Sequence, residues 1–431
     1  MRYLYSAALY ILLPFILLRM IIRSRQAPAY RQRLAERFGI FAEDSARQGR
    51  PVIWVHAVSV GETLAAAPLI EDLIKRYPGY RVVVTTTTPT GSERVQALFG
   101  DRVFHVYAPW DLPGAVNRFV TRLQPRLLLI METELWPNML HHANRQGCSI
   151  VLANARMSAR SAKGYARFSG LVKEMLEKLD VVACQSSDDG ERLLSLGLPE
   201  SALHVTGSIK FDLDLDAQSR DLANTLARDW NTSARKILVA ASTHPGEDEQ
   251  ILTAFTRLRK SCDNCLLLIV PRHPERFGEV YQQCERAGYQ VVRRSAGHAP
   301  GPGDDIVIGD TMGELLLLLS LADVAIIGGS LVPHGGHNVL EASAWGVPVV
   351  TGPHMFNFAE ISDLMVAANA MVQLNNPADL AATLTELFGD EALRQQMGLA
   401  GQKVVAANRG AKKRLLALVD ESMAGDGATS S

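Results

Sequence analysis

Glycines and one carboxylate follow a buried-strand pattern in the stretch from Asp323 to Pro353. The apolar run Val324–Ile327 leads into the pair Gly328–Gly329. A second pair, Gly335–Gly336, leads into a helical pattern that carries Glu341. Such a turn leaves backbone N–H groups that can bind a phosphate, and a carboxylate just beyond it can accept hydrogen bonds from ribose hydroxyls. The stretch therefore indicates a nucleotide site.

The same residues also suit a plain helix cap. Asn338 and Glu341 have the spacing of an N-cap followed three residues later by an acid, which stabilises helix ends in proteins of any function. The glycine pairs favour the nucleotide interpretation, because a cap needs neither of them. Both interpretations stay open at this point.

Three acids and a lysine in the first half of the chain are candidates for catalysis. Glu62 follows the first strand pattern, at the start of a helix, while Glu132 and Glu134 directly follow the fourth. Acids at such positions are costly to bury unless they are paired or used. Glu62 also forms a capping-box spacing with Ser59, which alone would explain both residues. Lys210 follows a glycine turn, and its alternative is a solvated surface lysine.

Basic side chains follow two strand patterns of the second half. His244 comes after one strand, and Arg272 and His273 come after the next. Basic groups at adjacent strand ends suit an anionic ligand. Glu314 follows a later strand pattern and adds a backbone turn with an acid.

Two patterns could suggest metal ligands. Asp212 and Asp214 spell the D-x-D of metal-dependent sugar-nucleotide transferases, but they lie in a polar stretch rather than after a strand. Cys262 and Cys265 are spaced C-x-x-C, but a second pair or a nearby histidine that would complete a zinc site is missing from the sequence around them. We therefore expect no metal and no cofactor.

Short apolar runs alternate with amphipathic segments from Val52 onward, which indicates parallel α/β sheets. The first half has six such runs: Val52–His56, Arg81–Thr87, Val103–Tyr107, Arg126–Met131, Ser149–Asn154 and Val181–Gln185. The second half has another six: Lys236–Ser242, Cys265–Pro271, Tyr289–Arg294, Asp305–Asp310, Asp323–Gly329 and Val347–Gly352.

The 431 residues are enough for two doubly wound, Rossmann-like domains. We expect an N-terminal helix over residues 1–26 and a first domain over 27–212. A linker over 213–235 and a second domain over 236–390 follow. Residues 391–431 are expected to form C-terminal helices and a disordered tail after Gly425. The natural cleft of such a pair lies between the domains, at the carboxyl ends of the strands.

The charge balance argues against a nucleic-acid partner. Lys plus Arg (44) nearly cancel Asp plus Glu (45), so the chain carries no strong positive charge. Apolar residues make up 47% of the chain and charged residues 21%, as in a globular protein with large cores.

An apolar segment, Leu4–Ile22, precedes both domains and is about the length that crosses a bilayer. Pro14 and Arg19 weaken it as a spanning helix. The arginines after it place the rest of the chain on the cytoplasmic side: Arg23, Arg25, Arg31, Arg33 and Arg37. The pattern favours an uncleaved anchor or an interfacial helix over a buried helix and over a signal peptide, and it leaves open which of the two forms.

Seven motifs occur along the chain, and in order they are HAVSVGE, TELWPN, GSIKFD, ASTHPGEDE, PRHPERF, TMGEL and GGSLVPHGGHNVLEA. Together they resemble the Kdo transferases of lipopolysaccharide synthesis, which move 3-deoxy-D-manno-octulosonic acid (Kdo) from CMP-Kdo onto a lipid A precursor. The resemblance covers nearly the whole chain. Any one motif is weak, but seven in the family's order are specific.

The resemblance implies a GT-B glycosyltransferase fold, with acceptor binding in the first domain and donor binding in the second. Its final helix would cross back to the first domain. By motif, Glu62 would be the general base, and Glu132 with Lys210 would support the transition state. The implied CMP-binding residues are Pro271, Arg272, Met312, Gly313, Glu314, Asn338, Val339, Leu340 and Glu341.

The implied reaction is a metal-independent transfer with inversion at the anomeric carbon, and its partners are CMP-Kdo and the precursor lipid IVA. The implied place is the cytoplasmic face of the bacterial inner membrane. Three other interpretations remain. They are a GT-B transferase for a UDP-sugar, a soluble sugar-nucleotide epimerase of the same fold, and a membrane-tethered nucleotide-binding module without turnover.

Overall fold

The computed structural model describes residues 1–25, 28–213 and 215–424. The chain divides into two compact units, one formed by Met1–Lys210 with Gly410–Ser431 and the other by Phe211–Arg409. Asp214 of the D-x-D pattern and the expected tail after Gly425 lie outside the described residues.

The first unit is built on a seven-stranded parallel sheet in the order β3-β2-β1-β4-β5-β6-β7. Its strands are β1 Val52–His56, β2 Arg81–Thr86, β3 Phe104–Tyr107, β4 Pro125–Met131, β5 Ser149–Ala155, β6 Val181–Cys184 and β7 Leu203–Val205. The order reverses between β1 and β4, which is where doubly wound sheets bind ligands.

Helices precede, connect and cover these strands. They are α1 Arg2–Arg23, α2 Glu43–Arg47, α3 Val60–Arg76, α4 Pro89–Phe99, α5 Pro113–Leu123, α6 Pro137–Arg145, α7 Ala159–Ala166, α8 Ser169–Leu176 and α9 Ser187–Ser195. Short 3-10 helices lie at Pro28–Arg31, Leu34–Phe38, Gly100–Arg102, Glu200–Ala202 and Ile209–Phe211.

Strand β1 shows why this sheet forms with a core on each face. Val52 and Trp54 pack into the core on one side, and Ile53 and Val55 pack into the core on the other. All four side chains are fully buried. Alternate residues of a strand point to opposite faces, so a continuous apolar run suits a central strand that is covered on both sides.

The second unit repeats this architecture with the strand order β10-β11-β9-β8-β12-β13-β14, again all parallel. Its strands are β8 Lys236–Thr243, β9 Cys265–Pro271, β10 Val291–Arg293, β11 Ile306–Ile308, β12 Val324–Ile327, β13 Val349–Thr351 and β14 Met371–Gln373. The order reverses between β8 and β12.

Among the described residues, eight helices complete the second unit. They are α10 Ala217–Asp229, α11 Asp248–Leu258, α12 Phe277–Arg286, α13 Leu315–Leu319, α14 Leu340–Ala344, α15 Ala359–Ala367, α16 Leu380–Gly389 and α17 Glu391–Asn408. Further 3-10 helices lie at Thr232–Ala234, Pro274–Arg276, Arg294–Ala296 and Pro377–Asp379.

The last helix, α18 (Ala411–Ala424), belongs to the first unit. It lies against β4, β5 and β6. Its Leu415 and Val419 are fully buried in the core there, and Lys412 pairs with Asp72 of α3 at 2.9 Å. Helix α17, in contrast, packs on α14 of the second unit. The C-terminal helices expected over 391–431 are therefore divided between the two units.

The division differs from the expected boundaries in one further respect. Residues 213–235, expected to form a linker, contain α10. Leu226 and Trp230 of this segment are buried in the core of the second unit. The segment looks polar in sequence because its few apolar residues are spaced along one helical face. Two edge strands, β7 and β14, were also not expected, because the polar His204 and Gln373 leave no continuous apolar run in either.

Gly328, at the end of β12, has no room for a side chain. A Cβ there would lie 2.4 Å from the carbonyl oxygen of Ser242 and 2.7 Å from its carbonyl carbon. These are backbone atoms of the neighbouring strand and cannot turn away. Gly278 in α12 offers a matched control, because a Cβ there would meet nothing within 4 Å.

We predict that Gly328→Ala lowers the unfolding temperature of the second unit by about 2–12 °C. This range follows from an overpacking cost of about 1–3 kcal/mol and a shift of about 2–4 °C per kcal/mol. Gly278→Ala should leave the temperature unchanged or raise it slightly, because alanine is the better helix former. Thermal unfolding followed by circular dichroism compares the two. Equal temperatures for both variants would contradict the close approach of the strands at Gly328.

Candidate active site

The loops after β1 and β4 bring acids to the reversal point of the first sheet. Glu62 lies in the first turn of α3, and Glu132 and Glu134 lie in the segment between β4 and α6. Because β1 and β4 are neighbours in the sheet, both loops leave the same edge. The acids that the sequence singled out are therefore close enough for Glu132 and Glu134 to influence the pKa of Glu62.

Glu62 is held at the start of α3 by two hydrogen-bond donors. The backbone N–H of Val58 donates to Oε2 at 2.9 Å, and the hydroxyl of Ser59 donates to Oε1 at 2.9 Å. Ser59 also caps the helix by accepting the N–H of Glu62 at 3.3 Å. The serine half of the capping box is thus present. In a regular box the carboxylate would accept the backbone N–H of Ser59. Here it accepts the backbone N–H of Val58 instead.

Burial raises the pKa of Glu62 to about 7. The bonds from Val58 and Ser59 oppose this rise, and the neighbouring Glu134 and Glu132 add to it. The side chain is only 8% exposed. A carboxylate with a pKa near neutrality can hold or release a proton under working conditions, as a general base must.

Glu132 lies between two cations. Its Oε2 is 3.2 Å from Nε of Arg156, and its Oε1 is 3.9 Å from Nζ of Lys210. The sequence interpretation named Glu132 and Lys210 but missed Arg156, although Arg156 directly follows β5 just as Glu132 follows β4. The signal that could have identified Arg156 was its position directly after a strand.

Glu134, the other acid after β4, accepts a hydrogen bond from the indole N–H of Trp136 at 3.1 Å. Burial raises its pKa, the Trp136 bond opposes the rise, and Glu132 adds to it. The Trp136 ring in turn packs edge-on against His56 at the end of β1, with 4.7 Å between ring centroids. These contacts link the ends of β1 and β4.

The backbone around these acids is strained. Glu132 and Asn154 both adopt left-handed conformations, with φ of 56° and 54°. Such conformations are costly for residues other than glycine and concentrate at functional sites. The buried amide nitrogen of Asn154 and the buried hydroxyl of Ser208 both lack a hydrogen-bond partner in the described part of the chain. Both side chains are candidates for contacts with a substrate.

In the second unit, the first glycine pair does not offer its N–H groups to a ligand. Glu247, which is fully buried, accepts from Gly329 at 2.7 Å, Ser330 at 3.1 Å and Leu331 at 2.9 Å. It also accepts the N–H of His244 at 2.8 Å. The N–H groups of Gly329, Ser330 and Leu331 therefore cannot supply the predicted phosphate contacts, because a carboxylate from the same chain occupies them.

The second glycine pair leads into a loop with free donors. Within the described residues, the backbone N–H groups of His337, Asn338 and Val339 have no hydrogen-bond partner. The Asn338 side chain accepts the N–H of Leu340 at 3.1 Å and donates to Oε1 of Glu341 at 3.1 Å. Asn338 thus acts as a cap, but Glu341 binds its side chain rather than its backbone. Burial raises the pKa of Glu341. The hydrogen bond from Asn338 and the charge of Arg272 oppose this rise.

Four histidines lie together beside this loop. The Nε2 atoms of His244 and His337 are 2.8 Å apart, and the ring of His334 stacks on His244 with 4.3 Å between centroids. His273 packs edge-on against His244 at 5.4 Å. Burial lowers the pKa of His244 to about 4 and that of His337 to about 3, and the nearby charge of Arg272 contributes to both shifts. Arg272 places a positive charge beside these two rings.

The remaining candidate donor residues differ in what they can contribute. Pro271 ends β9 and is buried, and Val339 and Leu340 are fully buried in the core, so only their backbone can reach a ligand. Met312 is exposed, and Gly313 has a φ of 85°. Glu314 already binds Arg294 at 2.9 Å and the Thr311 hydroxyl, and these bonds lower its pKa although burial raises it. Its carboxylate is less available than that of Glu341.

Two family models match the chain. The model described as 3-deoxy-D-manno-octulosonic-acid transferase (kdotransferase) matches residues 32–213, and the model described as glycosyl transferases group 1 matches residues 248–404. The first covers most of the first unit, and the second covers most of the second unit.

Relatives of known name match over almost the whole chain. The 3-deoxy-D-manno-octulosonic acid transferase of Haemophilus influenzae is 43% identical over 97% of this chain and 98% of its own length. The transferase of the same name from Bordetella pertussis is 39% identical over 97% and 99%. A solved glycosyltransferase from Rickettsia africae shares the fold, with a TM-score of 0.54 at 13% identity, over 87% of this chain and 99% of that one. The motif resemblance and the two-sheet GT-B fold are confirmed, and the chain belongs to the 3-deoxy-D-manno-octulosonic acid transferase family.

Proposed function

We propose that this chain transfers Kdo from CMP-Kdo to the lipid A precursor lipid IVA, with inversion at the anomeric carbon, during lipopolysaccharide core synthesis. The reaction takes place at the cytoplasmic face of the bacterial inner membrane, where α1 attaches the chain. It uses no metal and no cofactor. The names of the relatives support the donor sugar, and the acids of the first unit and the anion site of the second support the chemistry.

The first unit activates the acceptor in this proposal. A sugar hydroxyl is a weak nucleophile near neutral pH and needs a base within hydrogen-bond reach. Glu62 meets this need, because it is buried, has a pKa near 7, and is oriented by the Val58 amide and the Ser59 hydroxyl. Glu132 holds Lys210 and Arg156 nearby, and these cations stabilise negative charge that develops during transfer.

The second unit binds the donor. Arg272 and the N–H groups of His337, Asn338 and Val339 suit the phosphate of the CMP moiety. Glu341 accepts hydrogen bonds from the ribose hydroxyls. Pro271 and the turn from Met312 to Glu314 complete the contacts to the CMP moiety.

Residues of the two units can accept the proton and stabilise the negative charge that the transfer releases. The acceptor hydroxyl oxygen forms a bond to the anomeric carbon of Kdo while its proton passes to Glu62. The bond from that carbon to the CMP phosphate oxygen breaks on the opposite side, and CMP leaves with the electron pair as an anion. Arg272 stabilises this leaving phosphate. A single displacement of this kind inverts the anomeric carbon.

One observation carries the proposal, namely the raised pKa of a buried Glu62 beside two further acids. A carboxylate that only capped α3 would gain from an ordinary, low pKa, since the ionised form accepts hydrogen bonds best.

We predict that Glu62→Gln lowers turnover about 100-fold or more, because glutamine cannot accept the proton. Glutamine can accept the N–H of Val58 with its single oxygen and donate its NH2 group to the Ser59 oxygen, so CMP affinity and the fold should not change. Glu71→Gln on the same helix is the matched control, because Glu71 pairs with Arg102 on the surface and with no other cation among the described residues. Turnover is measured with detergent-dispersed lipid IVA.

A stability measurement separates this role from capping. Burial raises the folded-state pKa of Glu62 above its unfolded value, so the ionised group weakens the fold as the pH rises toward and through 7. At pH 8, Glu62→Gln should therefore unfold at an equal or higher temperature than the parent. Near-normal turnover of the variant, or a clear loss of stability at pH 8, would reduce Glu62 to a helix cap.

We predict that turnover of the parent falls about tenfold per pH unit below pH 7, since the base must be ionised and its pKa is about 7. The residual activity of Glu62→Gln should lack this dependence. The buried His244 and His337 are already neutral over this range, so they cannot produce it. An unaltered pH profile in Glu62→Gln would assign the titration to another group, with Glu134 the nearest candidate.

We predict that Glu341→Ala weakens CMP binding about 5- to 150-fold, which corresponds to about 1–3 kcal/mol for a lost hydrogen bond to a charged group. Glu275→Ala, an exposed acid three residues after Arg272, controls for charge alone. Calorimetry measures both, and competition between CMP and UDP tests the base. Unchanged CMP affinity in a folded Glu341→Ala variant, or stronger binding of UDP than of CMP, would argue for a different donor site.

A further inference from the structure

Helix α1 is long and apolar enough to cross a membrane. Its start, however, lies against α6 of the first unit, and its end lies against the 3-10 helix Pro28–Arg31, which follows it closely in the chain. A helix that spans a bilayer has its ends on opposite sides of it.

The first turns of α1 are docked by a polar cluster that consists of Arg2, Tyr5, Ser6, Asp111 and Asn138. Arg2 donates to Oδ1 of Asn138 at 3.0 Å, and Ser6 lies 3.1 Å from the amide nitrogen of the same side chain. Asn138 is fully buried and also donates to the carbonyl oxygen of Asp111 at 2.6 Å. The Tyr5 hydroxyl donates to the Asp111 carboxylate.

This docking cluster would be costly to open. The Asp111 carboxylate also accepts the backbone N–H groups of Asn138 at 3.0 Å and Met139 at 2.8 Å, at the start of α6. Removing α1 would deprive the buried Asn138 side chain of its bonds with Arg2 and Ser6, which is costly for a buried polar group, and leave only its bond to the carbonyl oxygen of Asp111 among these contacts. The first turn of α1 is therefore part of the fold of this unit.

The two faces of α1 have different surroundings along its whole length. One face is shielded, with half-buried side chains at Leu9, Leu13, Leu17 and Met20 followed by the buried Ser24, at intervals of three or four residues. The opposite face is exposed and apolar, and it carries Leu4, Ile11, Phe15, Leu18 and Ile22. Intervals of three or four residues mark one side of a helix, so the shielded stripe continues the line of Arg2 and Ser6.

The part of α1 that follows its docked first turns is too short to cross a bilayer. Tyr10 still contacts the unit, because a Cβ on Gly114 would lie 3.6 Å from its hydroxyl. Beyond Tyr10 the helix has only the residues from Ile11 to Arg23. At about 1.5 Å per residue they reach about 20 Å, whereas the hydrocarbon core is about 30 Å thick.

The charge around α1 suits one side of a membrane surface. The first acidic residue of the chain is Glu36, and six arginines precede it. Arg19 and Arg25 are exposed. Arg33, in contrast, donates to the carbonyl oxygen of His105 at 2.8 Å and so serves the fold. Exposed arginines are attracted to anionic lipid headgroups.

We propose that α1 does not span the membrane but lies in the plane of its cytoplasmic leaflet, with its exposed apolar face in an anionic phospholipid surface and its shielded face on the first unit. The docking cluster includes the start of α6. This helix directly follows the segment that carries Glu132 and Glu134. Membrane attachment and the acids that receive a lipid acceptor thus belong to one unit. The inference rests on the membrane attachment in the proposed function, but not on the transferase chemistry.

Spin-label depth measurements on the full chain test this arrangement. Nitroxides are attached to Leu4→Cys, Ile11→Cys, Phe15→Cys or Ile22→Cys, each in a Cys262→Ser background, because the other four cysteines are buried. The proteins are bound to vesicles of phosphatidylglycerol and phosphatidylethanolamine. An in-plane helix places all four labels at one shallow depth of about 5–10 Å. A Leu13→Cys label, on the shielded face, should be less mobile and less accessible to oxygen than the Ile11→Cys label.

Two results would overturn the proposal. A profile in which the Ile11 and Phe15 labels lie about 10 Å deeper than the Leu4 and Ile22 labels, with Leu13 as accessible to oxygen as Ile11, would show a spanning helix. Labels that remain in water would remove the lipid surface as the partner. Turnover on detergent-dispersed acceptor is measured on the same samples, so a failure of the transferase proposal is seen separately.

Discussion

Backbone N–H groups just beyond the end of a parallel strand have no partner in the sheet. In the second unit a single buried carboxylate accepts the hydrogen bonds of such groups. Glu247 accepts four backbone N–H groups, one from the loop after β8 and three from the turn after β12. Because β8 and β12 flank the reversal point of the sheet, this carboxylate joins the two loops at the place where a ligand should bind. The close approach of Gly328 to Ser242 makes the same junction tight. The neighbouring histidines and Arg272 are positioned on this junction.

Glu62 lies at the corresponding point of the first unit and has fewer donors. It has one backbone donor and one hydroxyl donor, and two further acids lie near it. Burial therefore outweighs hydrogen bonding and raises its pKa to about 7. Burial raises the pKa of Glu247 as well, although four backbone N–H groups oppose the rise, so the number of donors alone does not set the pKa of these carboxylates. Glu62 is distinguished by the acids beside it, Glu132 and Glu134, whereas Glu247 is enclosed by the N–H groups of two loops.

Much of this arrangement could be predicted from the sequence. Apolar runs located twelve of the strands, and position after a strand identified Glu62, Glu132, Arg272 and Glu341 as candidates. The failures concern partners that are distant in the chain. Nothing local to Gly329 reveals that Glu247, 82 residues earlier, occupies its N–H group. Likewise, α10 could be recognised as part of the second unit only through the core that Leu226 and Trp230 enter.

The most direct measurement of the central claim is the product itself. The full chain is incubated with CMP-Kdo and lipid IVA, and the lipid is analysed by mass spectrometry and its new glycosidic linkage by NMR. The proposal predicts a lipid heavier by one or more Kdo residues, one CMP released per residue added, and an anomeric configuration opposite to that of the donor. A lipid of unchanged mass, or a product that retains the donor configuration, would contradict it.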